Sequence, residues 1–146
     1  ISDIQAVINE MGPMDGAKEF LLWLKENFQV VILSDTFYEF AAPLMRQLDF
    51  PTLFCHKLEI SSDGQITDFK LRLEDQKRAA VEAFQGLNFK VAAAGDSYND
   101  TTMLAQAEAG ILFCPPDNVI AEFPQFPVTR NYDEMKTAFE SASADW

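Results

Sequence analysis

The sequence is poor in the residues that build metal clusters and disulfide frameworks. It has two cysteines, Cys55 and Cys114, and a single histidine, His56, among 146 residues. Because no Cys-x-x-Cys pair or cysteine–histidine cluster occurs, a structural zinc site is not expected. Both cysteines stand in apolar stretches, "TLFCHK" and "GILFCPP". We therefore expect both thiols to be buried, reduced and inert, as is usual in the cytoplasm, and we expect a structural role for the histidine.

Long hydrophobic runs and positive charge are also scarce. No apolar run approaches the roughly 20 residues that span a bilayer, and no signal peptide is recognisable. Lysine and arginine number 11 against 23 aspartates and glutamates, which gives a formal net charge of −12. A field of that sign repels nucleic acids and anionic membranes, so neither is expected as a partner. It also repels an anionic substrate unless a cation lies in the site.

An initiator methionine is absent, since the chain opens at Ile1 directly in a helical pattern. We interpret it as a piece of a longer protein.

The composition is that of a globular protein, with 48% hydrophobic residues, 23% charged residues and thirteen phenylalanines. That is enough for one domain with a sizeable core.

Strands and helices alternate in the hydrophobic pattern. Continuous apolar runs are typical of strands buried on both faces of a parallel sheet, and spacings of three and four residues predict helices. The predicted helices are 2–11, 14–28, a segment beginning near Pro43, 74–86 closed by Gly86, 99–110 ended by Gly110, 115–123 and 132–144. The predicted strands are 30–33, 51–60, 89–96, 110–113 and 127–130, with a hairpin turn at 62–64. This order predicts an α/β fold with a Rossmann-like parallel sheet, helices on both faces and a small β-hairpin.

Polar side chains follow two of the predicted buried strands. Ser34 and Asp35 follow one, "GDSYND" at 95–100 follows another, and Lys77 begins the helix between them. Because ligands of parallel sheets bind beyond the carboxyl ends of the strands, we expect these groups to surround one small cavity. A hydroxyl, a cation, carboxylates and an amide suit a phosphoryl group with Mg²⁺. Asp96 is the predicted metal ligand, because the turn at Gly95 exposes it and Mg²⁺ prefers carboxylates and water.

Each of these groups also has a structural interpretation. Ser34 and Asp35 can cap the following helix, Lys77 can be a solvated lysine, and Asn99 or Asp100 can cap the next helix. Four polar groups in "GDSYND" exceed what one cap needs, which favours the phosphoryl site.

The ordered set "VVILSDTF", Lys77 and "GDSYND" resembles motifs two, three and four of the haloacid-dehalogenase-like phosphohydrolases. Within that superfamily the chain resembles the phosphoserine phosphatases over nearly its whole length. The stretches 29–60, "AAGDSYNDTTML" and "GILFCPP" are similar to a bacterial subgroup with phosphoserine phosphatase and phosphoserine:homoserine phosphotransferase activity. The resemblance implies a Mg²⁺-dependent cytoplasmic enzyme that acts through an aspartyl-phosphate, with phosphoserine as substrate, homoserine as a second acceptor and a homodimer as one assembly.

The resemblance also implies roles for individual residues. Ser34, Asp35 and Asn99 would bind the phosphoryl group or the substrate. Lys77 would bind the phosphoryl oxygens and steady the nucleophile, which makes it catalytic as well. In the same comparison Asp96 would bind Mg²⁺ and Asp100, the second catalytic residue, would support the metal shell. The usual phosphoserine phosphatase has a glycine pair after the motif-two serine, where Asp35 and Thr36 stand here.

The family nucleophile is the first aspartate of an Asp-x-Asp-like motif after the first strand, and no such motif precedes Val30. We therefore expect the nucleophile, the acid/base carboxylate, the first strand and most of the cap to be missing. Residues 1–11 are interpreted as the end of the cap region or its connection, and 12–146 as an incomplete core domain. Such a piece is expected to fold poorly and to be inactive alone, because two strand edges lose their shared partner.

Two other functions remain open. A receiver-like signalling module also combines Mg²⁺, carboxylates, a hydroxyl and a lysine, although in receivers the lysine typically follows the hydroxyl strand near the last strand. A catalytically dead relative that only binds a phosphorylated ligand is the other alternative. Multiple-turnover phosphate release distinguishes an enzyme from both.

Overall fold

The computed structural model describes all 146 residues, and they form seven α-helices, one 3-10 helix at Tyr98–Asp100 and six strands. The helices are α1 Ser2–Met11, α2 Ala17–Asn27, α3 Tyr38–Gln47, α4 Gln76–Gly86, α5 Thr101–Gln106, α6 Asp117–Glu122 and α7 Tyr132–Ser143. The strands are β1 Ile32–Phe37, β2 Leu53–Ile60, β3 Ile66–Lys70, β4 Ala92–Gly95, β5 Ala109–Phe113 and β6 Val128–Thr129. None of the helices has the length and apolar character that crossing a membrane requires. The chain divides into two compact units, Ile1–Glu74 and Asp75–Trp146.

The first unit contains a three-stranded sheet in the order β1-β2-β3. β1 pairs with β2 in parallel, and β2 pairs with β3 as the predicted antiparallel hairpin. Gly64 in the hairpin turn has a φ of 83°, a left-handed conformation that suits glycine. α3 packs against β1 and β2, and α1 packs against α3. β1 lies at an edge of this sheet.

The strand β1 is longer than predicted and contains a bulge. It continues through the polar residues 34–36 to Phe37, whereas the pattern placed its end at Leu33. Leu33 pairs with Phe54, and Phe37 pairs with His56, so four steps along β1 match two along β2. Bulges of this kind turn side chains out of the regular pairing and are frequent beside active sites. The predicted polar segment after the strand is therefore a bulged segment within it.

The helix α3 contains Pro43 in its middle, which corrects the prediction that the helix begins near this proline. Proline has no N–H for the carbonyl oxygen of Glu39, four residues earlier, and this normally weakens a helix. The side chain of Gln5 in α1 donates a hydrogen bond from Nε2 to that oxygen at 2.8 Å. The missing backbone bond is thus replaced by a residue 34 positions away, which explains how the helix continues through Pro43.

The second unit contains a three-stranded parallel sheet in the order β4-β5-β6, with β4 at an edge. α5 and α7 pack against the sheet, and α4 packs against α5. Residues of the core are almost completely buried: Leu104, Ile111, Leu112 and Val119 are at most 1% exposed. Parallel strands with packed helices and one hairpin confirm the predicted α/β class.

Gly86 and Gly110 of the second unit have different structural roles. α4 ends at Gly86 as predicted, although the left-handed residue that follows it is Asn88, with a φ of 66°. Gly110 does not end a helix, because α5 stops at Gln106 and Gly110 lies in β5. A Cβ at this position would lie 2.6 Å from the carbonyl oxygen of Leu104. Close packing of the helix on the strand therefore requires glycine there.

The two cysteines have different environments. Cys55 in β2 is 1% exposed. Burial and the charge of Glu39 raise the pKa of its thiol to about 11, with Arg72 opposing them, so the thiol is inert as predicted. Cys114 is exposed, which corrects the expectation that both are buried. It follows β5 with a φ of 46°, and its Sγ donates to the carbonyl oxygen of Arg130 at 3.3 Å.

Candidate active site

The six residues predicted to form the site are divided between the two units. Ser34 and Asp35 lie in the β1 bulge of the first unit. In the second unit Lys77 lies in the first turn of α4, and the other three follow β4: Asp96, Asn99 and Asp100. The structure brings Lys77, Asp96 and Asp100 into contact through one carboxylate. The convergence of all six around one cavity stays a prediction.

In the first unit the bulge forms a small turn around Ser34. The Ser34 Oγ accepts a hydrogen bond from the Thr36 N–H at 3.2 Å. This bond closes the backbone of the bulge around the Ser34 side chain. The Asp35 side chain is half exposed, at 49%. Neither Ser34 nor Asp35 caps the helix that follows, because α3 begins at Tyr38 and has no side-chain cap.

In the second unit the carboxylate of Asp100 is the centre of a hydrogen-bond network. Its Oδ1 accepts from the Lys77 Nζ at 2.8 Å. Its Oδ2 accepts from the backbone N–H of Asp96 at 3.0 Å, and from the N–H and Oγ of Ser97 at 3.1 and 3.2 Å. The side chains of Lys77 and Asp100 are only 12% and 8% exposed. Lys77 is therefore not the solvated lysine of the structural interpretation.

The charge state of Asp100 follows from this network. Burial acts to raise the pKa of its carboxyl group, but the hydrogen bond and charge of Lys77, with the N–H groups of Ser97 and Asp96, outweigh burial. The pKa of Asp100 consequently lies below its ordinary value of 3.8. At neutral pH the Asp100 carboxyl group is therefore ionised, and it is held next to the Lys77 Nζ.

Gly95 allows Asp100 to occupy this position. The last residue of β4 lies so close that a Cβ would come within 2.5 Å of the Asp100 Cβ and 2.6 Å of its Oδ2. Gly95 does not have a positive φ, so its backbone suits any residue and the obstacle is contact alone. The chain therefore needs a residue without a side chain directly before Asp96.

We expect Gly95→Ala to displace the Asp100 carboxylate from its donors and to destabilise the protein. Overpacking at such a contact typically costs about 1–3 kcal/mol. The measurement is the free energy of unfolding in urea of the full-length gene product, expressed from its own start codon.

The matched control for Gly95→Ala is Gly86→Ala at the last position of α4. No atom lies within 4 Å of a Cβ built at Gly86. Because alanine favours a helix over glycine, this control is expected to be neutral or stabilising by up to about 1 kcal/mol. Equal effects of the two substitutions would contradict the assigned contact between Gly95 and Asp100.

The fit of a magnesium ion depends on Asp96. Its side chain is exposed, and no hydrogen bond or ion pair within the chain engages its carboxylate. Asp100 cannot replace it as a ligand without losing bonds, since both of its oxygens accept from protein donors. No group of three or more histidine, cysteine, aspartate or glutamate side chains could hold a metal ion. One available carboxylate fits Mg²⁺, which is often held by one or two carboxylates and keeps several waters.

The loop that carries Asn99 is braced from both sides. Tyr98 donates from its hydroxyl to Glu122 at 3.1 Å, and its ring meets that of Phe123 edge to face. Thr101 donates to the Tyr98 carbonyl oxygen at 2.7 Å. The Asn99 side chain is exposed beside these contacts. An amide on a braced loop is suited to contact a bound ligand.

Sequence reasoning missed the roles of Gly95 and Ser97. The sequence indicates only that Gly95 belongs to a turn and that Ser97 is one of several polar residues in it. A small residue between a buried strand and a carboxylate signals close approach, and Ser97 stands three residues before Asp100 at a helical start. Neither signal states that Asp100 faces inward while Asp96 faces solvent.

A family model described as haloacid dehalogenase-like hydrolase matches residues 2–108. The chain belongs to this family. The haloacid dehalogenase-like chain is 59% identical over 144 residues to phosphoserine phosphatase ThrH of Pseudomonas aeruginosa, covering 99% of the chain and 70% of that relative. It is also 59% identical over 143 residues to a phosphoserine phosphatase of Pseudomonas syringae pv. tomato, covering 98% of the chain and 60% of that relative.

The fold of this haloacid dehalogenase-like hydrolase also agrees with a solved structure. The crystal structure of a probable phosphoserine phosphatase from Vibrio cholerae, without ligand, superimposes with a TM-score of 0.71 at 24% identity. The superposition covers 94% of this chain and 46% of that one. The predicted family and the predicted fold are confirmed. The 146 residues span only part of each of these relatives.

Proposed function

We propose that the protein carrying this chain is a Mg²⁺-dependent phosphatase that hydrolyses phosphoserine. The observation that supports it best is the buried Lys77–Asp100 pair, whose carboxylate also accepts the Asp96 N–H while the Asp96 side chain faces solvent. Identity of 59% over nearly the whole chain to two relatives named phosphoserine phosphatase points to the same reaction.

Lys77 and Asp100 act together in this proposal. An ammonium group has three N–H donors, so the bond to Asp100 is compatible with further bonds to phosphoryl oxygens. Asp100 holds the Lys77 Nζ through a hydrogen bond of 2.8 Å, and by accepting the Asp96 N–H it fixes the turn that presents Asp96. The preorganised positive charge stabilises the oxygens of a transferring phosphoryl group. Asp96 would hold Mg²⁺, which would neutralise charge on the same oxygens.

Ser34 and Asn99 are proposed to contact the phosphoryl group or the substrate. The Ser34 hydroxyl lies in the β1 bulge, where its Oγ accepts a hydrogen bond from the Thr36 N–H at 3.2 Å. Asn99 offers an amide on the braced loop after β4. Their joint action with Lys77 depends on the predicted convergence of the six residues.

The nucleophile is proposed to be an aspartate outside residues 1–146, because no Asp-x-Asp motif after a buried strand occurs within them. Its carboxylate oxygen bonds to phosphorus as the bond from phosphorus to the serine oxygen breaks. A second carboxylic acid protonates the departing alkoxide, then removes a proton from the water that releases phosphate. A homoserine hydroxyl in place of water gives phosphohomoserine, so transfer is part of the proposal. A cytoplasmic location and a homodimer also stay predictions.

Multiple-turnover phosphate release tests the proposed function. The full-length gene product is incubated with excess phosphoserine and Mg²⁺, with and without homoserine, and free phosphate and phosphohomoserine are measured. We expect many phosphates per protein molecule, loss of release after chelation with EDTA, and phosphohomoserine when homoserine is present. At most one phosphoryl group per protein molecule, retained on the protein, would support the receiver-like alternative. Binding without any transfer would support the catalytically dead relative.

A further inference from the structure

We propose that Asp35 selects substrates that carry a positively charged amino group, and that His56 is the residue that positions the Asp35 carboxylate. This inference rests on the proposed function and deepens it, because it assigns the recognition of the amino group to a residue of this chain. The ligand chemistry is a phosphate monoester with a primary ammonium group, or an acceptor alcohol with one.

The location of Asp35 is the first observation. The residue lies within the β1 bulge, directly after Ser34 and near the carboxyl end of a parallel strand, where substrates of such sheets bind. Its side chain is 49% exposed, so half of its surface is accessible to a ligand. The bulge removes this residue from the regular β1–β2 pairing, and the register resumes at Phe37 opposite His56.

The orientation of His56 is the second observation. Its side chain is 8% exposed, and its ring contacts the ring of Phe37 with centroids 6.0 Å apart. The Nδ1 atom accepts a hydrogen bond from the backbone N–H of Arg72 at 2.9 Å. An Nδ1 that accepts carries no proton, so the ring proton is at Nε2. That nitrogen lies near Asp35: Nε2 and Oδ1 are 3.8 Å apart, which is a close electrostatic contact and is longer than a hydrogen bond.

The buried histidine therefore has one N–H, and the fold directs it toward Asp35. The backbone of Arg72 and the ring of Phe37 hold the imidazole, so the N–H has little freedom to turn away. Because the N–H dipole is fixed close to the Asp35 carboxylate, it favours orientations in which Oδ1 stays near the ring. His56 acts on the substrate only through Asp35, which makes it a positioning residue.

The sign of the charge determines what Asp35 recognises. A carboxylate next to the proposed phosphate-binding Ser34 repels a phosphate dianion, so it does not add affinity for phosphate esters in general. It attracts an ester that carries its own cation. The same residue thus disfavours simple phosphate esters and favours phosphorylated amino acids, and specificity arises from both effects.

The test compares two substrates in the full-length gene product. One is phosphoserine, and the other is 3-phosphooxypropanoate, which is phosphoserine without its amino group. In Asp35→Asn we expect the ratio of kcat/KM for phosphoserine to that for the des-amino ester to fall about 10- to 100-fold, the usual range for losing a charge-assisted contact. The change is expected mainly in KM for phosphoserine. Asp68→Asn, which alters an exposed carboxylate on β3, is the matched control and should leave the ratio unchanged.

The role of His56 is tested by two substitutions. His56→Ala is expected to lower the same ratio by raising KM for phosphoserine, and His56→Gln, which keeps a donor near the position of Nε2, should restore part of it. If His56→Ala does not fold, as judged by circular dichroism, Asp35→Asn decides, because it is nearly isosteric and half exposed.

An equal fall for both esters in Asp35→Asn, or no change in the ratio, would overturn this inference and leave the proposed phosphatase activity standing. A wild-type protein that releases no phosphate from phosphoserine would overturn both.

Discussion

Replacing Lys77 by alanine in the full-length gene product is expected to reduce phosphate release at least about 1,000-fold and to destabilise the protein by about 3–5 kcal/mol. Both effects have one cause. The substitution removes the cation that is proposed to face developing phosphoryl charge, and it leaves the buried Asp100 carboxylate without its counter-ion. The measurements are kcat/KM for phosphoserine and the free energy of unfolding in urea at pH 7.

The adjacent residue provides the matched control. Arg78 forms an ion pair with Glu82 at 3.1 Å on the exposed side of the same helix, with both side chains 49% exposed. Exposed pairs of this type contribute about 0.3–0.5 kcal/mol, so Arg78→Ala should change stability little and leave activity intact. If Lys77→Ala were as mild as Arg78→Ala, the burial and the role assigned to Lys77 would be wrong.

A double substitution separates stability from catalysis. In Lys77→Met with Asp100→Asn, the buried charges are gone, and the asparagine oxygen can still accept the N–H groups of Asp96 and Ser97. We expect this pair to recover part of the stability lost in Lys77→Ala, because no unpaired buried charge remains. Activity should not recover, since the ammonium is absent.

The stability of Lys77→Ala relative to wild type is expected to depend on pH. Because the folded pKa of Asp100 lies below its ordinary value, its contribution to stability is present above about pH 4 and is lost as pH falls through the folded pKa. The Lys77 ammonium favours only the ionised carboxylate. The stability difference between wild type and Lys77→Ala should therefore shrink as the pH is lowered from 7 toward 3. A difference that stays constant over this range would exclude the ion pair as its source.

Local sequence pattern predicted most helices and strands, and it predicted that the polar segment of the second unit follows a buried strand. "FKVAAAGD" and "NDTTMLAQ" contain enough hydrophobic periodicity to place a buried strand before a helix, and the polar residues between them lie at the strand's carboxyl end. The hairpin around Gly64 was equally predictable, because glycine suits the left-handed turn. These features depend on neighbours within a few residues.

The features that pattern did not predict depend on distant partners. Pro43 is tolerated inside α3 because the Gln5 side chain bonds the Glu39 carbonyl oxygen, and nothing near Pro43 in sequence indicates this. Gly110 looked like a helix terminator, but it is required by the packing of Leu104 and Phe126. Cys114 itself has the left-handed backbone and an exposed side chain, and neither feature is evident from the apolar stretch "GILFCPP".

The sequence identifies the candidate site residues but not how they are arranged. "GDSYND" contains two carboxylates, and the sequence does not show which of them is buried. The structure assigns Asp100 to the interior, because Lys77, Asp96 and Ser97 supply its donors, and leaves the Asp96 side chain exposed. The bulge that carries Asp35 could not be predicted either, because it is defined by the pairing of β1 with β2.

The central claim is that the Asp96 carboxylate holds the Mg²⁺ that phosphate release requires. Asp96→Asn keeps the size of the side chain and the backbone N–H that bonds Asp100, but it removes the charge that attracts a divalent cation. We expect phosphate release from phosphoserine by the full-length gene product to fall on the order of 100-fold or more, with stability nearly unchanged because the side chain is exposed. Asp145→Asn, which alters an exposed carboxylate in the same unit, should behave like wild type.

The most direct test is the rate of phosphate release as a function of Mg²⁺ concentration, for wild type and Asp96→Asn side by side. The prediction is a rate that rises and saturates with Mg²⁺ in wild type, and in Asp96→Asn a much lower rate that needs more Mg²⁺ to reach half its maximum. An Asp96→Asn protein with the wild-type rate and the wild-type Mg²⁺ dependence would show that the metal is held elsewhere, and the proposed site would be wrong.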